Sequence, residues 1–108
     1  MYTNADCTLY LQQDGNRYNR LPIKGVFWDP KGSDGADAVV FIPLESADLP
    51  RWKPEERNYI AQGILSDEIY DTRTLHAMLQ TRCLLTIKHI VRRDYGSAGM
   101  RHWEVHAV

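Results

Sequence analysis

The sequence predicts a mainly β protein: a small antiparallel β-barrel or sandwich of about six strands, with one short helix and one long loop. Three observations predict it. Short segments alternate apolar and polar residues at the two-residue period of half-buried strands. Clusters rich in Asp, Asn, Gly and Pro punctuate them as turns. The chain's 108 residues, 44 % hydrophobic, suffice for one core and leave little room for a second, so one domain over residues 1–108 is expected.

Residues 1–6 precede the first periodic segment and are expected to form a flexible polar arm. From Cys7 to Gln13, Leu9 and Leu11 alternate with Thr8, Tyr10 and Gln12. Asp14-Gly15-Asn16 is a turn signal, and Tyr18 to Trp28 reads as the returning strand of a hairpin. Pro22 lacks a donor and calls for an edge or bulge; Gly25 breaks the alternation and marks a bulge. Asp29 to Gly35 is a loop by composition, and the run Ala38–Pro43 (AVVFIP) is the most apolar strand.

Residues 44–57 contain Pro50 and Pro54, mix acids with bases and show no period; they are expected to form a long loop of the kind that often carries function. Asn58 to Gln62 is a short strand stopped by Gly63. Asp71 or Thr72 is expected to cap a helix reaching Leu79, with Leu75, Met78 and Leu79 on one face. Thr81 to Arg93 reads as a long strand that Ile90 disturbs. Residues 94–99 form a turn, and Met100 to Val108 is the last strand, with Arg101, Trp103, Val105 and Ala107 on one side and His102, Glu104 and His106 on the other.

Composition narrows the function classes. Thirteen basic and 14 acidic residues give a formal net charge of −1, whereas proteins built to ride nucleic-acid backbones carry a basic excess. The nearest local patch is Arg92 and Arg93, with Arg101 close by. Cys7 and Cys83 are too few for a disulfide scaffold, fit no zinc spacing and are read as ordinary thiols. The opening MYTNAD has no basic segment followed by an apolar one, so no signal peptide is expected. No apolar run approaches the roughly 20 residues of a membrane span.

No phosphate loop, nucleophile elbow or HExxH motif occurs. With Arg93 placed opposite Met100, His89 faces Glu104, and His102 and His106 lie diagonally on the same face. That cluster is either an open metal site or, as preferred here, a polar surface with a cross-strand His–Glu hydrogen bond. Asp67 and Glu68, adjacent in an extended chain, do not converge and are read as exposed. No catalytic, cofactor-binding or metal-binding residue is assigned, and no enzyme activity is expected. Aromatic and basic residues at loops and strand ends are the expected protein-interface residues: Tyr2, Arg51, Trp52, Lys53, Tyr95 and Arg101. Trp28 and Trp103 are expected in the core.

Four segments resemble a known family: MYTNADCTLY at the start, IKGVFWDP (Ile23 to Pro30), ADAVVFIP (Ala36 to Pro43) and RRDYGSAGMRHWEV (Arg92 to Val105). Together they are similar to small proteins encoded in the head–tail gene modules of tailed phages and prophages of Gram-positive bacteria. The likeness is weakest over residues 44–80. It implies a virion structural protein of the neck: a head-closure, or stopper, component made in the host bacterial cytoplasm. It further implies a homo-oligomeric ring joining the portal and adaptor to tail-tube or tail-completion proteins, with DNA only as passing cargo and no membrane. Tail completion and a minor capsid role are neighbouring alternatives within that module. Outside it, the residues leave open a small OB-like nucleic-acid-binding module and a metal-dependent hydrolase built on His89, His102, Glu104 and His106.

Overall fold

Alternation, turns and two local irregularities combine into a closed antiparallel barrel of six strands in the order β1-β2-β3-β6-β5-β4. The structure, a computed structural model, describes residues 3–13, 17–30, 38–50, 53, 56–81, 84–94, 96 and 100–108. The strands are β1 (Ala5–Gln12), β2 (Tyr18–Asp29), β3 (Ala38–Pro43), β4 (Tyr59–Gln62), β5 (Leu85–Arg93) and β6 (His102–Ala107). The helix α1 (Thr72–Gln80) lies between β4 and β5. The fold is the small barrel that the periodicity predicts. Boundaries move by two residues or more at three strand starts: β1 begins at Ala5 rather than Cys7, β5 at Leu85 rather than Thr81, and β6 at His102 rather than Met100.

Closing so few strands into a tube demands sharp bends, and β2 and β5 supply them. β2 pairs with β1 from Tyr18 to Val26 and with β3 only from Phe27 to Asp29. At the change of partner, Lys24 and Gly25 oppose the single residue Asp6, a bulge. Gly25 sits at φ +80°, a region that any Cβ strains, and its N–H donates to Asp6 Oδ1 at 3.0 Å. β5 behaves likewise. It pairs with β4 through Leu85 and Thr86 and with β6 from Ile87 onward, its register shifting between Ile87 and His89.

Among the described residues, no strand pairs with β2 on the Pro22 side, so Pro22 lies on an edge there. The carbonyl of Asp6 and the N–H of Gln12 are bonded on the β4 side of β1, so even-numbered residues of β1 turn their backbone groups that way. Their opposites in β2, namely Tyr18, Arg20 and Pro22, therefore present theirs on the far edge, where β3 does not follow. A proline there forfeits no ladder bond.

The tube is solid. Leu9, Ile23, Val26, Trp28, Val40, Ile42, Ile60, Ile90, Trp103 and Val105 fill it, with Cys7 a buried free thiol whose pKa burial and then Asp6 push up to about 12. A buried aliphatic side chain of this kind is worth roughly 1.5–3 kcal/mol. Residues 44–50 cross one mouth of the barrel. Leu44 and Ala47 pack on the core, Leu49 enters it, and Trp103 Nε1 donates to the carbonyl of Ala47 at 3.0 Å. The long loop thus starts as a cover rather than a free excursion.

A second apolar cluster lies outside the tube, on β1 and β4: Tyr10, Tyr59, Ala61, Ile69 and Leu84, joined by Leu65, Leu75, Met78 and Leu79. Residues 63–71 form a strap across this face. Thr8 Oγ1 donates to Gly63 O at 2.8 Å and accepts from Leu65 N at 2.9 Å. Tyr10 donates its hydroxyl to Asp67 O at 2.7 Å, and Arg20 donates to Leu65 O at 2.9 Å and pairs with Glu68 at 3.2 Å. The strap ends at Asp71, whose carboxylate caps α1 by accepting from Thr74 N at 2.8 Å; that bond lowers its pKa. Of the expected arm, Ala5 and Asp6 belong to β1, and the Asn4 amide accepts from Trp28 N and donates to Trp28 O.

Thr8→Val keeps shape but strands the Gly63 carbonyl and the Leu65 N–H, so a loss of about 2 kcal/mol is expected. Tyr10→Phe removes one bond and should cost about 1 kcal/mol. Thermal denaturation of both variants checks the order of the two effects. Gly25→Ala meets only Thr3 Cγ2 at 3.9 Å, so its expected loss of about 1–2 kcal/mol reports backbone strain alone.

Candidate interaction groove

The cover segment and the ends of β5 and β6 leave a cleft between them. One lobe, about 690 Å³, lies between Leu44 to Asp48 and Arg92, Arg101 and Trp103. The adjoining lobe, about 540 Å³, runs from Asp48, Leu49 and Pro50 to His89, Ile90 and Val91. Asp48, Arg92 and Trp103 belong to both, so they form one groove.

Strand pairing builds its floor. Arg92 stands opposite Trp103, and its guanidinium lies 5.6 Å from the indole ring centre, a cation–π distance. Asp94 bridges two arginines, at 3.2 Å from Arg92 and 3.4 Å from Arg101. All three side chains are about half exposed, so the pairs add little stability but hold two guanidinium groups side by side. Glu45 and Asp48 stand on the opposite wall. The groove therefore offers an aromatic floor between a basic and an acidic wall.

Beside it, the outer face of β3, β6 and β5 carries the histidines. Their expected register is corrected by two residues: Arg93 faces His102 rather than Met100, and His89 faces His106 rather than Glu104. The turn causes the slip: it is two residues longer than expected, and the register it sets holds unchanged from Arg93 to His89. Glu104 bonds within its own strand, at 2.9 Å to His106 Nε2, and accepts from Arg93 Nε at 3.2 Å, so its His–Glu bond is not cross-strand. Burial alone would raise the Glu104 pKa, but the bonds from His106 and Arg93 outweigh it and hold it below the usual glutamate value. A ring row, Phe27–Phe41 at 5.8 Å and Phe41–His102 at 5.2 Å, flanks this group. Among the described residues, no three His, Cys, Asp or Glu side chains are grouped to hold a metal ion.

Of the six expected interface residues, Arg101 lines the groove, and Lys53 is exposed, 3.9 Å from Glu56. Tyr2, Arg51, Trp52 and Tyr95 lie outside the described residues, as does Cys83. Arg92 and Trp103 enter the site although sequence reading gave one to a basic patch and the other to the core. Their cross-strand pairing was the missing signal. Asp67 and Glu68 are exposed, as read. Among the described residues, no helix is long and apolar enough to cross a membrane.

Fold and groove together define a small solid barrel whose chemistry faces outward. The chain belongs to a family of unknown function (DUF6751), which it matches over residues 2–108. Comparison with curated proteins and with solved structures found no significant match.

Because Glu104 is depressed in the folded state, its contribution is full above the ordinary value of 4.5 and is lost as pH falls through the lower folded value. Glu104→Gln should therefore destabilise by about 1–2 kcal/mol at neutral pH, with the gap to the parent closing in acid. Denaturant titrations at several pH values check this. Trp103→Phe, which releases the Ala47 carbonyl, should cost about 1 kcal/mol and speed proteolysis within residues 44–50.

Proposed function

We propose that this chain is a virion structural protein of a tailed bacteriophage, a head-closure ring component that links portal and adaptor to the tail and has no catalytic role. Three of the four segments that carry the likeness to neck proteins are continuous in space, and this observation carries the reading. Ile23 to Pro30, Ala36 to Pro43 and Arg92 to Val105 supply the second half of β2, all of β3, the last two residues of β5 and most of β6, together with the arginine wall and tryptophan floor of the groove. The weakly similar residues 44–80 supply the cover, the strap and α1. The floor and basic wall of the groove come from the family-like segments, and its acidic wall from residues 44–50, so a partner common to the family would meet the arginine and tryptophan side.

The chemistry of the groove supports a protein partner. Tryptophan and arginine are the residues that dominate protein contacts, and the acidic wall of Glu45 and Asp48 opposes a continuous run of phosphates. The solid interior suits a scaffold gripped from outside. A near-neutral chain is also suited to surrounding DNA in transit without holding it. The barrel has six strands, one more than an OB-fold, so the oligonucleotide alternative leans on Arg92, Arg101 and Trp103 alone.

Reconstitution with the portal, adaptor and tail-completion proteins of the same gene module tests the proposal. Electron microscopy should show the chain as a ring added below the adaptor, and particles lacking it should be filled heads that leak DNA or lack tails. A chain that stays unbound with every neck component supplied overturns the reading. A salt-sensitive complex with single-stranded DNA that quenches tryptophan fluorescence would replace it with the oligonucleotide one.

A further inference from the structure

Two exposed patches of opposite charge stand on different walls of the barrel. The first is the strap. Tyr70 is 78 % exposed and Ile64 43 % exposed, beside the acids Asp67, Glu68 and Asp71. Residues 64–71 carry three acids and no base. Glu68 is engaged by Arg20 and Asp71 by the helix cap, while the Asp67 carboxylate has no ion-pair partner among the described residues. Thr8, Tyr10 and Arg20 fix this strap to the outer face of β1 and β2.

The second patch is the arginine end of the groove. Met100, 67 % exposed, adjoins Arg101, and among the described residues Arg92 and Arg101 share the carboxylate of Asp94. Over residues 85–107, Lys88, Arg92, Arg93 and Arg101 exceed Asp94 and Glu104 by two charges. In the strand order β1 and β2, which hold the strap, lie two or three places from β5 and β6 in a ring of six, so the patches stand on different walls of the barrel. One copy cannot bring them together; two copies placed side by side in the same orientation can.

We propose that the strap of one copy, with its exposed Tyr70, docks on the Arg92–Arg101–Met100 end of the groove of a second copy, in a head-to-tail contact. Tyr70 lies against Met100 and the Arg92–Trp103 stack, and the Asp67 carboxylate supplies the charge that two arginines sharing one aspartate lack. Glu45 and Asp48, on the opposite wall, repel the strap's acids and so orient them toward the arginines. Both patches remain in use on every copy, so the contact repeats and either closes as a ring or extends as a filament. The proposal deepens the ring reading and rests on it only for the expectation of closure.

Sedimentation of four samples at high protein concentration tests it. The parent chain should associate with rising concentration. The double variant Asp67→Lys/Tyr70→Ala loses the strap side, and Arg92→Gln/Arg101→Gln loses the groove side. Each alone should associate at least about tenfold more weakly. An equal mixture of the two should give dimers and nothing larger, because one intact strap meets one intact groove. Circular dichroism confirms folding, and Met100→Asp replaces the arginine variant if that one fails to fold. A parent that remains monomeric at millimolar concentration, variants that associate like the parent, or a mixture that forms no dimer overturns the proposal. Binding to the adaptor is scored separately. A chain that joins the neck although its strap variants ring normally sinks only this contact; one that self-associates as described but ignores every neck component sinks only the phage assignment.

Discussion

A sheet of six strands can close on itself only if some strands bend sharply enough to leave one wall and enter the next. In this protein β2 and β5 do so, each where its register slips: at Gly25 in β2 and after Ile87 in β5. Every later feature depends on those bends. They bring β3 against β6, place Arg92 over Trp103, and narrow the tube until side chains alone fill it. They also divide the outer surface into a face sealed by the strap and α1 and a face of aromatic, histidine and arginine residues.

Much of this was legible in the residue order, because strand signals are local. Two-residue alternation in β1 and β6, the AVVFIP run and the aspartate before α1 each state a preference that tertiary packing obeys. Gly25 and Pro22 were readable for the same reason: a missing Cβ and a missing N–H restrict the backbone whatever surrounds it. The last hairpin was not readable to the residue. The length of a turn sets the register of everything beyond it, so the partner of His89 depended on where the turn ends at His102, which no single residue announces.

The strap and the outer cluster escaped for another reason. Thr8 and Tyr10 alternate with Leu9 and Leu11 as if they faced water, yet Cys7 to Leu11 are all buried. A tyrosine satisfies both environments, and a threonine hydroxyl that bonds a neighbouring segment resembles a solvated one. Residues 63–71 have no period because hydrogen bonds to β1 and β2, rather than a repeating face, hold them in place. The groove was hidden similarly, since its two walls come from segments about 50 residues apart in the chain.

Pro22 bears on how the molecule tolerates crowding. The upper part of β2 would otherwise be a template for strand addition, with donors and acceptors spaced for a foreign backbone. The proline leaves that template one donor short at its middle and sets a ring where an incoming chain would have to lie. Identical copies packed closely together are thus steered from backbone-to-backbone stacking, which has no natural end, toward contacts chosen by side chains, which can count.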